Sequence, residues 1–215
     1  MKILVTGTSN GIGKAIAEKF LACGHTVIGI DKVQQTLSHA NYTHIITDVF
    51  SGKLPQIDGV EILVNNAGVQ DSGADIDVNL KGTIRVTEQY GVQPSIKSIV
   101  FIASASASTG SEFPEYVASK GGVVSYMKNV ALRIAQWGAT SNSLSPGGVT
   151  TALNQHVMTS PELWQQIMDE TPLKKWASAA EIAEWTYFVA VVNKSMTAQD
   201  IIIDNGESAR AKFVW

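Results

Sequence analysis

Near its start the chain runs from a short β-rich segment, residues 2–6 (KILVT), through Thr6-Gly7-Thr8-Ser9-Asn10-Gly11-Ile12-Gly13 into an apolar run at helical spacing, residues 11–23 (GIGKAIAEKFLAC). Glycines in so short a span allow a tight strand-to-helix turn. They also let backbone N–H groups approach a pyrophosphate, to which the helix N-terminus adds favourable dipole charge. Gly7, Ser9, Asn10, Gly11, Ile12 and Gly13 are therefore candidate dinucleotide contacts. The bland alternative is a tight turn that binds nothing, and the rest of the chain weighs against it.

Strand-like and helix-like runs alternate from this loop to the end. Residues 26–30 (TVIGI), 43–47 (THIIT), 61–65 (EILVN) and 97–103 (KSIVFIA) are short and nearly all apolar. Residues 139–144 form a weaker sixth run and 200–204 (DIIID) a last one. Strands that are apolar without alternation are buried on both faces, as in a parallel sheet between helix layers. Helices are expected over 11–23, around 80–93, from about 114 to 137, and over 162–170 and 179–193. The predicted fold is α/β, a doubly wound, Rossmann-type parallel sheet of about seven strands between helix layers. With no repeat, linker or low-complexity tract, a single domain over 1–215 is expected.

Composition narrows the function classes. Apolar residues make up 45% of the chain and charged residues 16%, so it can bury a sizeable core. Sixteen Lys and Arg against nineteen Asp and Glu leave a net charge of −3, and no run of like charges reads as a nucleic-acid surface. The one cysteine, Cys23, excludes an internal disulfide and a zinc site built from several thiolates. His25, His39, His44 and His156 form no metal-spaced cluster, so no metal is expected. The longest apolar stretch, 183–192, is too short to span a bilayer and carries Glu184. Only Ile3-Leu4-Val5 follow Met1-Lys2, too little for a secretory signal. A cytoplasmic protein with no membrane partner is expected.

Two further features carry chemistry. Asp31 ends the second strand, 18 residues past Gly13. A carboxylate there accepts hydrogen bonds from both hydroxyls of an adenosine ribose. It would repel a 2′-phosphate by about 4 kcal/mol per charge pair at about 4 Å and an effective dielectric near 20. Asp31 thus predicts NAD (NADH) over NADP, with Lys14 and Lys32 as nearby cations that could soften the choice. The second feature is Tyr116 with Lys120, the only tyrosine followed by lysine four residues on. Positions i and i+4 share a helix face. An ammonium beside a phenol favours phenolate and lowers a pKa that starts at about 10; reaching about 7 takes roughly 4 kcal/mol. Such a phenol is a general acid for a carbonyl being reduced and a base for an alcohol being oxidised.

Taken with the glycine loop, these residues resemble the short-chain dehydrogenase/reductase family, in the subgroup with glycine motif TGxxxGIG, over essentially the whole chain. The resemblance implies further roles. Asp48-Val49 matches the adenine-side contact, and Asn65-Asn66-Ala67-Gly68 is the family's NNAG, with Asn66, Ala67 and Gly68 at the cofactor. Asn79 matches a helix asparagine that holds a water linking Lys120 to solvent. Ser104, at the end of the fifth strand, matches the serine that hydrogen-bonds the substrate oxygen. Ser106 and Ser108 follow in the same ASASAS run, and strand alternation would point 104 and 106 the same way, so Ser106 stays open. Asn142 and the segment 145–151 resemble N-x-x-S-P-G-x-V-x-T, placing Pro146, Gly147, Val149 and Thr151 at the cofactor.

The implied activity is hydride transfer between NAD(H) and a small alcohol or ketone, with Tyr116, Lys120, Ser104 and Asn79 as the catalytic set. Family members commonly pair through two long helices, here near 80–93 and 115–136, so a homodimer or homotetramer is expected. The segment 152–178 reads as part of a lid, where Met158, Leu163 and Trp164 hint at an apolar ligand. His156 reads as a solvated histidine, Trp164, Trp176 and Trp185 as core or interface, and Trp215 as the terminus.

The sequence also departs from the family. The stretches after Asp31, between Asp48 and Asn65, and between Gly68 and Asn79 are short, which leaves the helix cover beside the third and fourth strands in doubt. Ala198 and Asn205 stand where the family usually has glycine. The trimmed loops motivate a rival reading, a dinucleotide-binding sensor or partner protein with little turnover. A nucleotide-sugar epimerase or dehydratase is disfavoured, because those relatives resemble TGxxGxxG.

Overall fold

A computed structural model of the protein describes residues 1–111 and 113–209. Trp215, read above as the terminus, lies outside the described residues. Seven parallel strands form one sheet in the order β3-β2-β1-β4-β5-β6-β9. They are β1 (Lys2–Thr6), β2 (Thr26–Asp31), β3 (Tyr42–Ile46), β4 (Ile62–Asn65), β5 (Ser98–Ile102), β6 (Thr140–Pro146) and β9 (Asp200–Ile203). The strand order reverses beside β1, where the glycine loop leaves the sheet, and a crevice outside the strand ends opens at such a switch point.

Alternate residues of each central strand feed two cores. Ile3, Val5, Ile62, Val64 and Val100 face α1 (Gly11–Ala22) and α7 (Ala179–Tyr187, continuing as a π-turn over Phe188–Val192). Leu4, Leu63, Ile99 and Phe101 face α2 and α4 (Pro114–Ile134). Helix α2 starts as a π-helix over Ile76–Gly82 and becomes α-helical over Thr83–Tyr90. Short pieces complete the chain: α3 (Ser106–Thr109), α5 (Gln155–Met158), α6 (Pro161–Glu170), and a two-stranded ladder of β7 (Val149–Thr150) and β8 (Ala177–Ser178). Among the described residues no helix is long and apolar enough to cross a membrane.

The short segments take the form the sequence raised as a doubt. No helix stands between β2 and β3 or between β3 and β4. Instead the irregular stretch 47–61 is pinned from α2. Arg85 donates to the carbonyls of Val49 and Phe50, Gln89 to those of Leu54 and Pro55, and Tyr90 Oη to that of Pro55 at 2.6 Å. Leu54 and Val60 add apolar cover to the α2/α4 core. The edge strand β3 is only partly covered, and Ile46 is 51% exposed.

Strand β6 shows why the sixth run reads weakly. Its sequence is TSNSLSP, yet every residue is buried. Each polar side chain finds a partner: Ser141 on the Met127 carbonyl, Asn142 on Met196 and Gln199, and Ser143 and Ser145 on one oxygen of Asp200. Pairing between β5 and β9, rather than β propensity, makes this a strand.

Ala198 and Asn205 hold φ of +61° and +56°, the left-handed region. Asparagine tolerates that region, whereas alanine there costs about 1–2 kcal/mol. Ala198 is held by its N–H on the Ser141 carbonyl at 2.7 Å. Ala198→Gly should therefore stabilise the fold by about 0.5–1 kcal/mol net of glycine's chain entropy, raising Tm by roughly 1–4 °C. Thermal unfolding of the two proteins checks this, and an unchanged or lowered Tm would show that the turn carries no strain.

Candidate active site

The glycine loop is built by one close packing junction. Thr6 Oγ1 accepts from the N–H groups of Asn66 and Ala67, both at 3.0 Å. Asn66 Nδ2 in turn donates to the carbonyls of Thr6 and Gly7 at 3.0 and 3.3 Å. A Cβ on Gly13 would run into the Gly7 carbonyl and Asn66 Nδ2, so Gly13 serves this packing. Gly7 and Gly11 have φ of +75° and +54°. Helix α1 then begins with no side-chain cap and no acidic residue in its first turn. Unclaimed N–H groups at a helix N-terminus favour an anion, so the cradle fits the pyrophosphate of a dinucleotide.

Beside it lies a cavity of about 340 Å³ walled by Gly7, Asn10, Asp31, Asp48, Val49 and Ala67 among others, with Lys32 also in the wall. Asp31 Oδ2 accepts from Ser9 N at 2.9 Å and Oδ1 from Val33 N at 3.2 Å, which ties the loop to the second strand. Ser9 is fully buried and outside the wall, so its part is to lock the loop. Lys14 is outside the wall too. The N–H groups of Ser51 and Phe50 hold the Asp48 carboxyl below the usual carboxylate range.

A second cavity, about 840 Å³, shares Ile12, Asn66, Gly68 and Thr151 with the first. Its wall holds Ser104, Tyr116 and Lys120 together, with Pro146, Gly147 and Val149 opposite the helix α4 residues. Lys120 is buried, and its Nζ donates to the Ile102 carbonyl at 2.9 Å and lies 5.6 Å from the Tyr116 ring centre. Burial pushes this ammonium down from 10.5 to about 8. At about 1.4 kcal/mol per unit, charging it costs the fold roughly 3 kcal/mol at neutral pH. The cost is in force below pH of about 8 and fades as pH rises toward the unfolded value of 10.5.

Ser104 and Ser106 are separated by the local fold. The strand ends at Ile102 and the chain turns into α3 at Ser106, so the expected alternation does not hold. Ser104 lines the cavity and Ser106 does not. Ser106 donates to Ser104 Oγ twice, from N at 3.2 Å and from Oγ at 2.9 Å. With both lone pairs so engaged, the Ser104 O–H is left to donate. Asn79 stands behind the wall, 1% exposed. Its amide makes a two-way pair with Val69 N and O at 2.8 and 2.9 Å and donates to Ser119 Oγ at 3.0 Å.

Several wall residues were not singled out from the sequence. Gln70, Asn154, Gln166, Glu170 and Glu207 give the outer part of the large cavity a polar lining. Leu163 is there as expected, but Met158 and Trp164 are not, so the lid is mixed rather than apolar. Trp176, read as core or interface, lines the cavity, stacks edge-on to Trp164 at 5.1 Å and fills the space a side chain on Gly148 would need. The sequence marks the segment 152–178 as a lid but not which of its side chains face inward, because the lid and the C-terminal turn meet only in the folded chain.

Comparison with known proteins gives consistent likenesses. A family model described as Enoyl-(Acyl carrier protein) reductase matches residues 7–208. A 2-(R)-hydroxypropyl-CoM dehydrogenase of Xanthobacter autotrophicus is 30% identical, across 87% of this chain and 90% of that protein. A 3-oxoacyl-(acyl-carrier-protein) reductase of Aquifex aeolicus is 29% identical, across 94% and 95%. The ligand-free aldohexose dehydrogenase of Thermoplasma acidophilum superposes with a TM-score of 0.84 at 27% identity, across 100% of this chain and 96% of that one.

The junction at Gly13 generates a test. Gly13→Ala should lower stability by about 1–3 kcal/mol through overpacking. It should also weaken binding of the NAD(P) dinucleotide at least about tenfold by moving the loop backbone. Thermal unfolding and quenching of tryptophan fluorescence by NADH or NADPH read the two effects, and wild-type values for both would show that the junction has slack.

Proposed function

The chain belongs to the short-chain dehydrogenase/reductase family, and on that footing we propose that it uses NAD(H), with Tyr116 carrying the proton. At the coarser level it is an oxidoreductase of carbonyl and alcohol substrates with an NAD(P) cofactor. The single observation behind the finer reading is the meeting of Ser104, Tyr116 and Lys120 in one cavity continuous with the dinucleotide cradle. An elongated site with acid/base groups at one end and Asp31 at the other matches what such a reaction needs.

In this reading the two adjoining cavities would hold the dinucleotide, whose nicotinamide would supply or take up the hydride. Tyr116 Oη donates its proton to the oxygen of a carbonyl being reduced, or takes it from an alcohol being oxidised. The Ser104 O–H holds that oxygen as charge develops on it. Lys120 supplies the positive charge that favours phenolate. Asn79 keeps the Val69 segment and Ser119 in place behind Lys120. Asp31 meets the ribose hydroxyls and repels a 2′-phosphate, with Lys32 the cation that opposes it. Gln70, Gln166 and Glu207 suit a small hydroxylated ketone or alcohol better than a purely apolar one. Self-association through the outer faces of α2 and α4 belongs to the same reading; Leu132 stands 79% exposed on α4. Three groups assembled for chemistry favour turnover over the sensor alternative.

Side-by-side fluorescence titration should give micromolar NADH binding and at least about tenfold weaker NADPH. Equal or reversed preference would show that Lys32 outweighs Asp31. In a screen of small alcohols and ketones, Tyr116→Phe should lose at least about a hundredfold in turnover, the usual worth of a general acid/base, while still binding NADH. Turnover near wild type in that variant would remove Tyr116 from the role.

A further inference from the structure

The outer part of the large cavity carries charge of one sign. Glu170 and Glu207 stand in its wall, and among the described residues Lys120 is the only cation there. Lys120 is buried at the other end, with its Nζ on the Ile102 carbonyl. The two lysines that follow α6 are tied elsewhere. Lys174 Nζ donates to the carbonyls of Met168 and Asp169, and Lys175 pairs with Glu181. Neither belongs to the wall.

Glu207 is the acid that the fold holds in place. It opens a short turn, Glu207–Ala209, which the buried Asp204 carboxyl fixes by accepting from Gly206 N at 2.9 Å and Ser208 N at 2.7 Å. Glu207 Oε1 accepts from Thr171 Oγ1 at 2.8 Å, and Thr171 is fully buried at the end of α6. A Cβ added to Gly147 would lie 3.1 Å from Glu207 Oε2, so the second oxygen rests against a residue of the wall. Gly147 follows Pro146, whose carbonyl accepts from Ala105 N at 2.9 Å, one residue past Ser104. One carboxylate oxygen is thus spent on the fold, and the other is held close to the segment that carries Ser104. The rest of the polar wall is amide. Gln70, Asn154 and Gln166 carry both donors and acceptors. Asn154 is anchored by its Nδ2 on the Val149 carbonyl at 2.9 Å.

We propose that this cavity selects a neutral polyhydroxylated substrate, a polyol or its keto form, and that Glu207 is the residue that sets the choice. The proposal rests on the reading of Ser104, Tyr116 and Lys120 as the reacting end. A hydroxyl both donates and accepts, so a chain of hydroxyls can meet a carboxylate that only accepts and amides that do both. A carboxylate or phosphate on the substrate would face Glu207 and Glu170, with only Lys120 at the reacting end to offset them. Like charges brought together in a cleft repel, which is how a site rejects a competitor. An ammonium would suit the two acids but give the amide N–H groups no acceptor. A purely apolar alcohol would cover Glu207 without offering it a donor. The cavity, about 840 Å³, is of a size that encloses a whole small ligand.

The test varies charge on one carbon skeleton. Sorbitol, mannitol and galactitol are each set beside the matching aldonic acid, phosphate ester and amino alcohol, with hexan-2-ol as the apolar control. Affinity for the protein loaded with the dinucleotide it prefers is read by ligand-observed NMR, which needs no turnover. Oxidation is read separately by the appearance of reduced nicotinamide. At least one hexitol should bind, and should exceed its acid and phosphate partners by at least about tenfold and its amine partner and hexan-2-ol by a smaller margin. Glu207→Gln keeps an acceptor for Thr171 and removes the charge. In that variant the acid and phosphate partners should gain about tenfold on the hexitol, an effect that a merely structural role of Glu207 would not produce. Glu207→Asp, which keeps the charge, should hold the wild-type order. Equal or better binding of an acid, phosphate, amine or apolar partner to the wild type would overturn the proposal. So would no binding of any hexitol, or an unchanged order in folded Glu207→Gln. If that variant does not fold, the wild-type panel decides. Selective hexitol binding without oxidation would defeat the hydride reading and leave the substrate class standing. Faster oxidation of an acid or phosphate partner would do the reverse.

Discussion

The junction of Thr6, Gly7, Gly13 and Asn66 is the contact on which the rest of the site depends. It joins β1, the start of α1 and the end of β4 through four hydrogen bonds of 3.0–3.3 Å and a contact that leaves no room for a Cβ. Fixing these three elements fixes the direction of α1 and hence its uncapped N-terminus. It also sets the exit of the chain at Gly68, which touches both cavities. A looser junction would leave the glycine loop and the cavity holding Ser104, Tyr116 and Lys120 without a common frame.

The end of the site that holds Tyr116 and Lys120 is assembled against the grain of stability. A lysine with its charge taken out of water costs the fold a few kcal/mol, a large share of the 5–15 typical for a domain. The protein carries this because the surrounding elements are well packed: Val123, Met127, Val130 and Ile134 of α4 are all buried against the sheet. The same helix that anchors the core thus presents Tyr116 and Lys120 at its N-terminal end. A deep hydrophobic face and a strained polar face on one helix are how a site of this kind is held rigid.

The trimmed flank is a different solution to a covering problem. Beside the third and fourth strands, where no helix forms, the protein uses side chains reaching out of elements it already has. Arg85, Gln89 and Tyr90 satisfy the carbonyls of the 47–61 stretch from one side. On the other, Tyr42 fills the space above Gly29 and hydrogen-bonds Thr8 Oγ1 at 2.8 Å and His44 Nδ1 at 2.9 Å, while His44 Nε2 reaches the Val33 carbonyl. Backbone groups that lack a helix to shelter them are thereby paired, and a thin edge of the sheet stays ordered.

Local pattern carried a good deal of this protein. The apolar runs at β1, β2, β4 and β5, the glycine loop, the i,i+4 pair of Tyr116 and Lys120, and the acid ending β2 are each short-range signals, and the α/β sheet follows from them. Strand β6, buried and polar, was legible only faintly, because Asn142, Ser143 and Ser145 are satisfied by partners 54–57 residues away. Ser104 and Ser106 could not be separated, since the turn into α3 replaces strand alternation. The lid segment 152–178 was legible as such, but not which of its side chains face the cavity, Gln166 and Trp176 among them, nor that Glu207 joins them. Sequence determines what a residue can do within one turn or one strand, where neighbours along the chain are neighbours in space. Which charges are dry, which hydroxyl faces the cavity and what stands across from Tyr116 are decided by elements far apart in sequence, because desolvation and electric field depend on packing in three dimensions.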